Sequence, residues 1–220
     1  MAYTKNLPPP HLLINIKPRT YSDVCPFLYL ANITSTEQLY ATLPTKLRGD
    51  IRRQTRRLNE IGTLSLRYYD SFDEATKTFQ QFMASHRQKW PKAYKAPNFH
   101  KNLLQEGLRT SLVSFSTLDI NEKPVAWHLG FQYKERFYYY MPAGNPEYAK
   151  FSPVKVHLFH LIDTAIAKNT CVFDHLRGDE TYKDGWSNGV KHLYDYHTYS
   201  KSKTSQAKRD LLAFRKVVKR

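Results

Sequence analysis

Proton-carrying and anion-holding side chains crowd one short segment of this chain. Asp174, Asp179 and Glu180 supply carboxylates, His175 an imidazole and Tyr182 a phenol, while Arg177 and Lys183 are fixed cations. Such a set can take a proton, give one back and hold an anionic group. Gly178 and Gly185 mark the segment as loop, and the apolar run Cys171 to Phe173 ahead of it reads as a short buried strand. A loop carried by a rigid strand is where binding and catalytic groups usually sit. The competing reading is an ordinary polar surface turn, and the loop alone does not choose between them.

The elements that must position this loop are legible upstream. Pro26 to Ala31 reads as a strand, and Thr36 to Ile61 as mostly helix, interrupted near Pro44. Thr63 to Tyr69 is a strand. Ser71 to Trp90 is a helix, with Ser71 as its cap and Glu74 at the capping-box position. Pro97 to Leu108 is a further helix. Three strands follow, Ser111 to Leu118, Pro124 to Tyr133 and Phe137 to Met141, joined by turns at Asn121 to Lys123 and Lys134 to Arg136. The middle strand alternates, placing Val125, Trp127, Leu129, Phe131 and Tyr133 on one face. A helix then opens at Pro153, the first helical position that favours proline, with Ser152 as N-cap. Its start offers unpaired amides and a positive dipole end to a phosphate, and Lys155 adds a charge there. The other reading is an ordinary capped helix packed on the sheet. His157 and His160 fall off its apolar arc and read as exposed or partner-facing, with no third ligand at a metal-like spacing.

Composition bounds what this architecture can be. A chain of 220 residues suits one sizeable α/β domain, with an antiparallel meander at its centre. No apolar run reaches the roughly 18 residues of a membrane helix. Met1 to Pro10, with three consecutive prolines and no apolar core, is no signal peptide. Cys25 and Cys171 sit beside apolar residues and read as buried structural thiols in a reducing cytoplasm. The net charge of +15 implies an anionic partner. Its excess lies in Lys46, Arg48, Arg52, Arg53, Arg56 and Arg57, around the single acid Asp50, and in a basic tail over residues 201–220. Both clusters also read as solvated surface. Neither is interleaved with the aromatics of a single-strand binding platform, so nucleic acid is a secondary expectation.

Several motifs, taken in order, resemble one acyltransferase family. They are Phe137-Tyr138-Tyr139-Tyr140, Asn145 to Pro153, Phe173-Asp174, Arg177-Gly178-Asp179-Glu180 and Tyr182-Lys183. Upstream, Cys25 to Leu28, Leu47 to Gln54 and His86 to Trp90 match it too. The family is the GNAT-superfamily branch associated with bacterial cellulose and other exopolysaccharide genes, akin to the Fem-type aminoacyl transferases. The resemblance spans Val24 to Trp186. It implies an α/β (α+β) fold with a mixed, mainly antiparallel, V-splayed sheet flanked by helices. Residues 23–200 would form that domain, residues 1–22 an extended leader and residues 201–220 a basic helix or tail. The family's usual further N-terminal domain is not in this sequence, which suggests a homodimer or a separate partner chain.

The resemblance also implies chemistry: acyl transfer from acetyl-CoA or another acyl-CoA, without a metal, to an amine of a small molecule, sugar or peptide. The sheet would splay beside Tyr140 and Met141 to admit the pantetheine arm, and the pyrophosphate would seat on Ser152, Pro153, Val154 and Lys155. Val154 departs from the glycine common there and narrows the approach. An amine of pKa near 10.4 costs roughly 4–5 kcal/mol to present neutral at pH 7. Asp174, His175, Asp179 and Glu180 are candidate bases, with Asp179 and Glu180 favoured and Asp174 assigned to the strand–loop junction. Tyr182 would reprotonate the leaving thiolate, and it would otherwise pack under the loop. Arg177, Gly178, Lys183 and Trp186 would hold the acceptor, unless Arg177 instead pairs with Asp174 or Asp179. The alternatives are an aminoacyl-tRNA donor gripped by Arg48 to Arg57, and a non-catalytic domain binding a polyanion through its basic surface.

Overall fold

The computed structural model describes residues 2–7, 20–93 and 96–198. Leader residues 8–19 and the basic tail 201–220 lie outside them. The chain divides into two compact units. The larger comprises Pro26–Leu176 and Glu180–Gly189; the smaller takes in the chain up to Cys25, Arg177–Asp179 and the chain from Val190. In the smaller unit, β1 (Ala2–Leu7) pairs antiparallel with β8 (Gly189–Thr198).

The larger unit holds the sheet that positions the loop. β2 (Thr20–Tyr29) starts earlier than its apolar core suggests, and its part from Pro26 pairs antiparallel with β7 (Val172–Asp174). Beyond β7 come β6 (Arg136–Gly144), β5 (Lys123–Tyr133), β4 (Val113–Ile120) and β3 (Leu64–Tyr69). Every neighbour is antiparallel except β6 and β7, which run parallel. The β4–β5 hairpin turns on Asn121 and Glu122 alone, both left-handed, as a two-residue turn matching strand twist requires.

Helices cover both faces of this sheet. On one face lie α3 (Phe72–Lys89) and α4 (Phe99–Arg109), packing Phe79, Phe82 and Leu104 against Phe115, Trp127, Leu129 and Met141. Ser71 caps α3 as its sequence predicts, its Oγ accepting from the Glu74 amide at 3.3 Å. On the other face, α5 (Pro153–Ala167) packs Leu158, Leu161 and Ile162 against Phe137, Tyr139 and Phe173. α1 (Thr36–Thr42) and α2 (Thr45–Asn59), separated at Pro44, contribute Leu39 and Ile51 to the same cluster.

Double coverage explains where the sequence pattern misleads. β5 alternates in sequence yet is buried on both faces, from Val125 to Gly130. Val125 does not share the cluster of Trp127 and Leu129: a register shift at Leu118/Asp119 gives β5 an extra residue, and Val125 joins Leu118 and Val156. His157, expected at the surface, is 2% exposed, because α5 is packed by the sheet and by α2. Its Nε2 meets Ser116 Oγ at 3.0 Å, and burial pushes its pKa down to about 3. His160 is half-buried rather than exposed. Cys171 is also half-buried, and its thiol donates to Glu135, which raises its pKa.

Candidate active site

The parallel pair β6–β7 is short. Arg136, Phe137 and Tyr138 pair with Val172, Phe173 and Asp174, after which β7 ends while β6 runs on to Gly144. At that point β6 bulges: Tyr139 and Tyr140 together oppose Gly130 of β5. Gly130 tolerates no side chain, since a Cβ there would lie 2.4 Å from the His128 ring and 2.6 Å from the Tyr138 carbonyl. His128 fills the space behind the bulge. Its ring stacks on Tyr139 with centroids 4.5 Å apart, and its Nε2 accepts from the Tyr140 amide at 3.3 Å. The strands therefore separate immediately before the loop that carries the candidate chemistry.

Asp174 fixes that junction. Its Oδ1 accepts from the Leu176 amide at 2.9 Å and its Oδ2 from Arg136 at 2.9 Å, so the carboxylate is spent on architecture. His175 is 1% exposed; its Nε2–H donates to the Trp186 carbonyl at 3.2 Å, and burial lowers its pKa to about 4. This hydrogen bond leaves Nδ1 as the bare lone pair, buried without a hydrogen-bond partner among the described residues. Lys183, expected to anchor a substrate, is 3% exposed and turns inward, donating to the Leu176 carbonyl at 3.2 Å and pairing with Glu180 at 2.7 Å. Trp186 is likewise a core residue. Both buttress the loop from beneath. Arg177 pairs with Asp23 at 3.2 Å, and the Gly178 amide bonds the Val24 carbonyl. These two residues and the exposed Asp179 belong to the smaller unit.

Tyr182 behaves differently. It is about half exposed and lines an open cleft of about 680 Å³ in the larger unit. Across that cleft stand Lys46, Asp50 and Arg53 of α2, with Lys155 from the first turn of α5. Asp50 accepts from both Lys155 and Arg53, which hold its pKa low, the Lys155 hydrogen bond foremost. One carboxylate thus lies among three cations, and the wall carries a net positive charge. Desolvation, with the Glu180 charge nearby, lifts the Tyr182 phenol to about 12. It stays protonated at any working pH and faces the cleft as a hydrogen-bond donor.

The expected phosphate seat at α5 is less open than its sequence suggests. Ser152 is left-handed, with φ of 49°, and its side chain caps nothing. Pro153 brings no N–H, and the Lys155 and Val156 amides close on the Ser152 carbonyl. Val154 leans on Gly144, where a Cβ would come within 2.7 Å of its Cγ2. Of the other expected cofactor contacts, Tyr140 is 37% exposed against Phe131, and Met141 points into the α3–α4 cluster. The cation of this helix end, Lys155, instead forms part of the cleft wall with Lys46 and Arg53.

Lys46, Asp50 and Arg53 are the functional candidates that a reading of α2 as a solvated basic face misses. The available signal was Gly49. A helix-interior glycine costs about 1 kcal/mol relative to alanine, yet a Cβ at Gly49 would meet nothing within 4 Å because it faces the cleft. Among the described residues no cluster of three or more His, Cys, Asp or Glu could hold a metal, and no helix is long and apolar enough to cross a membrane.

The sequence profile of the acetyltransferase (GNAT) domain matches residues 45–184, from the start of α2 to the cleft-lining loop. The chain belongs to the GNAT acyltransferase family. No curated protein matches it by sequence. Among solved structures, FemX resembles this GNAT domain with a TM-score of 0.67 at 10% identity, over 84% of this chain and 66% of that one. L-PGS from Bacillus licheniformis gives 0.64 at 10% identity over 93% and 69%. The C-terminal domain named for a lysylphosphatidylglycerol synthetase of Agrobacterium fabrum gives 0.63 at 9% identity over 96% and 71%. At these identities the likeness is one of fold, and the chain spans about two thirds of the length of each.

Proposed function

We propose that the protein transfers an acyl group to an amine from a donor held through its phosphates in the basic cleft. The observation that carries this reading is the placement of Lys46, Arg53 and Lys155 around Tyr182, on a GNAT fold. An aminoacyl-tRNA is the donor best supported. Exposed Arg52 and Arg56 continue the positive wall along α2 beyond the cleft, a surface longer than a small cofactor needs. The Tyr182 phenol points the same way. Passing a proton from a group near 12 to a thiolate near 8.5 is uphill by roughly 5 kcal/mol. An alkoxide leaving from a ribose ester is about as basic as the conjugate base of that phenol, so donation to it is close to balanced.

In this scheme the neutral amine attacks the ester carbonyl, the C–N bond forms, the C–O bond breaks, and the departing oxygen takes a proton. Tyr182 donates to that oxygen. Glu180, close enough to raise the Tyr182 pKa, accepts the amine proton. Acyl-CoA is the second reading, favoured by the parting of β6 from β7 at the Tyr139–Tyr140 bulge, with the C–S bond breaking instead. Either donor belongs to the cytoplasm, which this reading assigns to the protein.

Filter binding of aminoacyl-tRNA across a salt series, beside calorimetry with acetyl-CoA, tests the proposal. tRNA should bind with a steep negative dependence on log salt, flattened by about one counterion for each of Arg52 and Arg53 replaced by glutamine. Tight acetyl-CoA binding without tRNA binding would select the second reading. Absence of both at physiological salt would refute the function.

A further inference from the structure

The connection from α3 to α4 carries aromatic rings and cations but no acid. Between Glu74 and Glu106 the chain has no Asp or Glu and six Lys or Arg. Trp90 ends α3 with 54% of its surface exposed, and Phe99 opens α4 with 49%. Arg87, Lys89, Lys92 and Lys101 beside them are exposed too. The two helix ends form one corner with a positive field. Burial, then the charge of His100, lowers the His86 pKa; burial, then Arg87, lowers that of His100. Trp90 is held in place by its backbone. Its amide donates to the His86 carbonyl at 2.9 Å, and its carbonyl accepts from the Ala93 amide at 3.1 Å, in the short turn Pro91–Ala93. The Lys89 ammonium sits 5.7 Å from the centre of the ring. The fold therefore presents the indole instead of covering it.

We propose that this corner is a docking surface for an anionic lipid bilayer: Trp90 and Phe99 enter the headgroup region while Arg87, Lys89, Lys92 and Lys101 face lipid phosphates. Amphipathic rings settle at the level of the headgroups, and Lys and Arg extend their charged ends to the phosphates around them. Each cation near such a surface is worth about a fivefold gain in partition, so four give several hundredfold, and the rings add apolar burial. That suffices for reversible attachment without any segment spanning the bilayer. Single-stranded nucleic acid fits the corner less well. Its binding platforms set rings along a basic groove, whereas every described residue from Arg87 to Asn98 is exposed, which makes a projecting edge. The corner lies on the α3–α4 face of the sheet, so a bilayer there leaves the cleft on the α2–α5 face open. The proposal stands independently of the transferase reading.

Trp90 also supplies the readout. The chain has three tryptophans, and the other two, Trp127 and Trp186, are 4% and 2% exposed. Tryptophan emission of the full chain is followed during titration with vesicles of phosphatidylcholine, with and without added phosphatidylglycerol, and the vesicles are then sedimented. The anionic vesicles should shift the emission to the blue and carry the protein down, and brominated acyl chains should quench it; phosphatidylcholine alone should do neither. Lys89→Gln combined with Lys92→Gln should weaken partition about thirtyfold at low salt. Trp90→Ala should abolish the shift and weaken sedimentation about tenfold. Arg52→Gln with Arg56→Gln, on the other face, should leave the shift in place. Melting beside wild type shows that these exposed substitutions leave the fold intact. The proposal is overturned if anionic vesicles produce no blue shift, or if sedimentation is lost in the α2 variant and kept in the Lys89/Lys92 variant. Quenching of Trp90 by a single-stranded oligonucleotide, with no response to vesicles, would overturn it in favour of nucleic acid.

Discussion

At the scale of single residues, Tyr182 and Asp50 divide the work of the cleft. Tyr182 keeps its proton because it is desolvated beside the Glu180 charge, so the part the proposed function gives it is a donated hydrogen bond in the transition state. Tyr182→Phe should therefore lower kcat on the order of 10²-fold while donor affinity changes less than about twofold. Single-turnover and binding measurements on the same preparation separate the two, and an unchanged kcat would remove Tyr182 from the mechanism. Asp50 neutralises part of the charge of Lys155 and Arg53, and under the proposed function it would oppose donor binding. Asp50→Asn should tighten phosphate-bearing donors several-fold at low salt, an advantage that shrinks as salt screens it. Its cost in stability should stay below about 1 kcal/mol, as for partly exposed pairs generally. Calorimetry at two ionic strengths reads both, and weaker donor binding in the variant would mean that Asp50 orients its cations instead of masking them.

At the scale of elements, α2 shows why the sequence disclosed its helices better than its site. Ser71, Pro44 and the Asn121–Glu122 turn act through neighbours a few residues away, so local chemistry revealed them. The cleft has no such signature. Lys46 and Arg53 lie more than 120 residues from Tyr182 in sequence, and only the packing of α2 along α5 brings them across from it. The same non-locality buried His157, since an apolar arc reports one contact face and α5 has two. The loop itself was found, but Lys183 and Trp186 were assigned to substrate because no sequence signal distinguishes an inward-turned lysine from an outward one. Gly49 is the element-scale test. Gly49→Ala should stabilise α2 by up to about 1 kcal/mol while narrowing the cleft. Urea unfolding should show the gain and donor titration a loss of affinity; tighter donor binding would argue that Gly49 does not border the donor.

At the scale of the whole molecule, the larger unit closes its core around imidazoles that must stay neutral. His128 and His157 lie between the sheet and α5, His175 under the loop and His86 at the end of α3, and desolvation is the first cause of the lowered pKa in each. Folded values of about 3 for His157 and about 4 for His86 and His175 lie well below the unfolded value near 6.5. Between those limits the unfolded chain binds protons that the native chain does not, so stability rises with pH and falls on acidification. At pH 5 each such histidine contributes a slope of about 1.4 kcal/mol per pH unit, and four together roughly 5. The protein should therefore be near its full stability at pH 7, lose stability steeply below about pH 6, and unfold before its carboxylates titrate. Urea midpoints at pH 7, 6 and 5 measure this directly. His157→Gln, which can keep a hydrogen bond to Ser116, should remove about a quarter of the slope. A flat profile between pH 7 and 5 would mean that the buried imidazoles are already charged and paired in the folded protein.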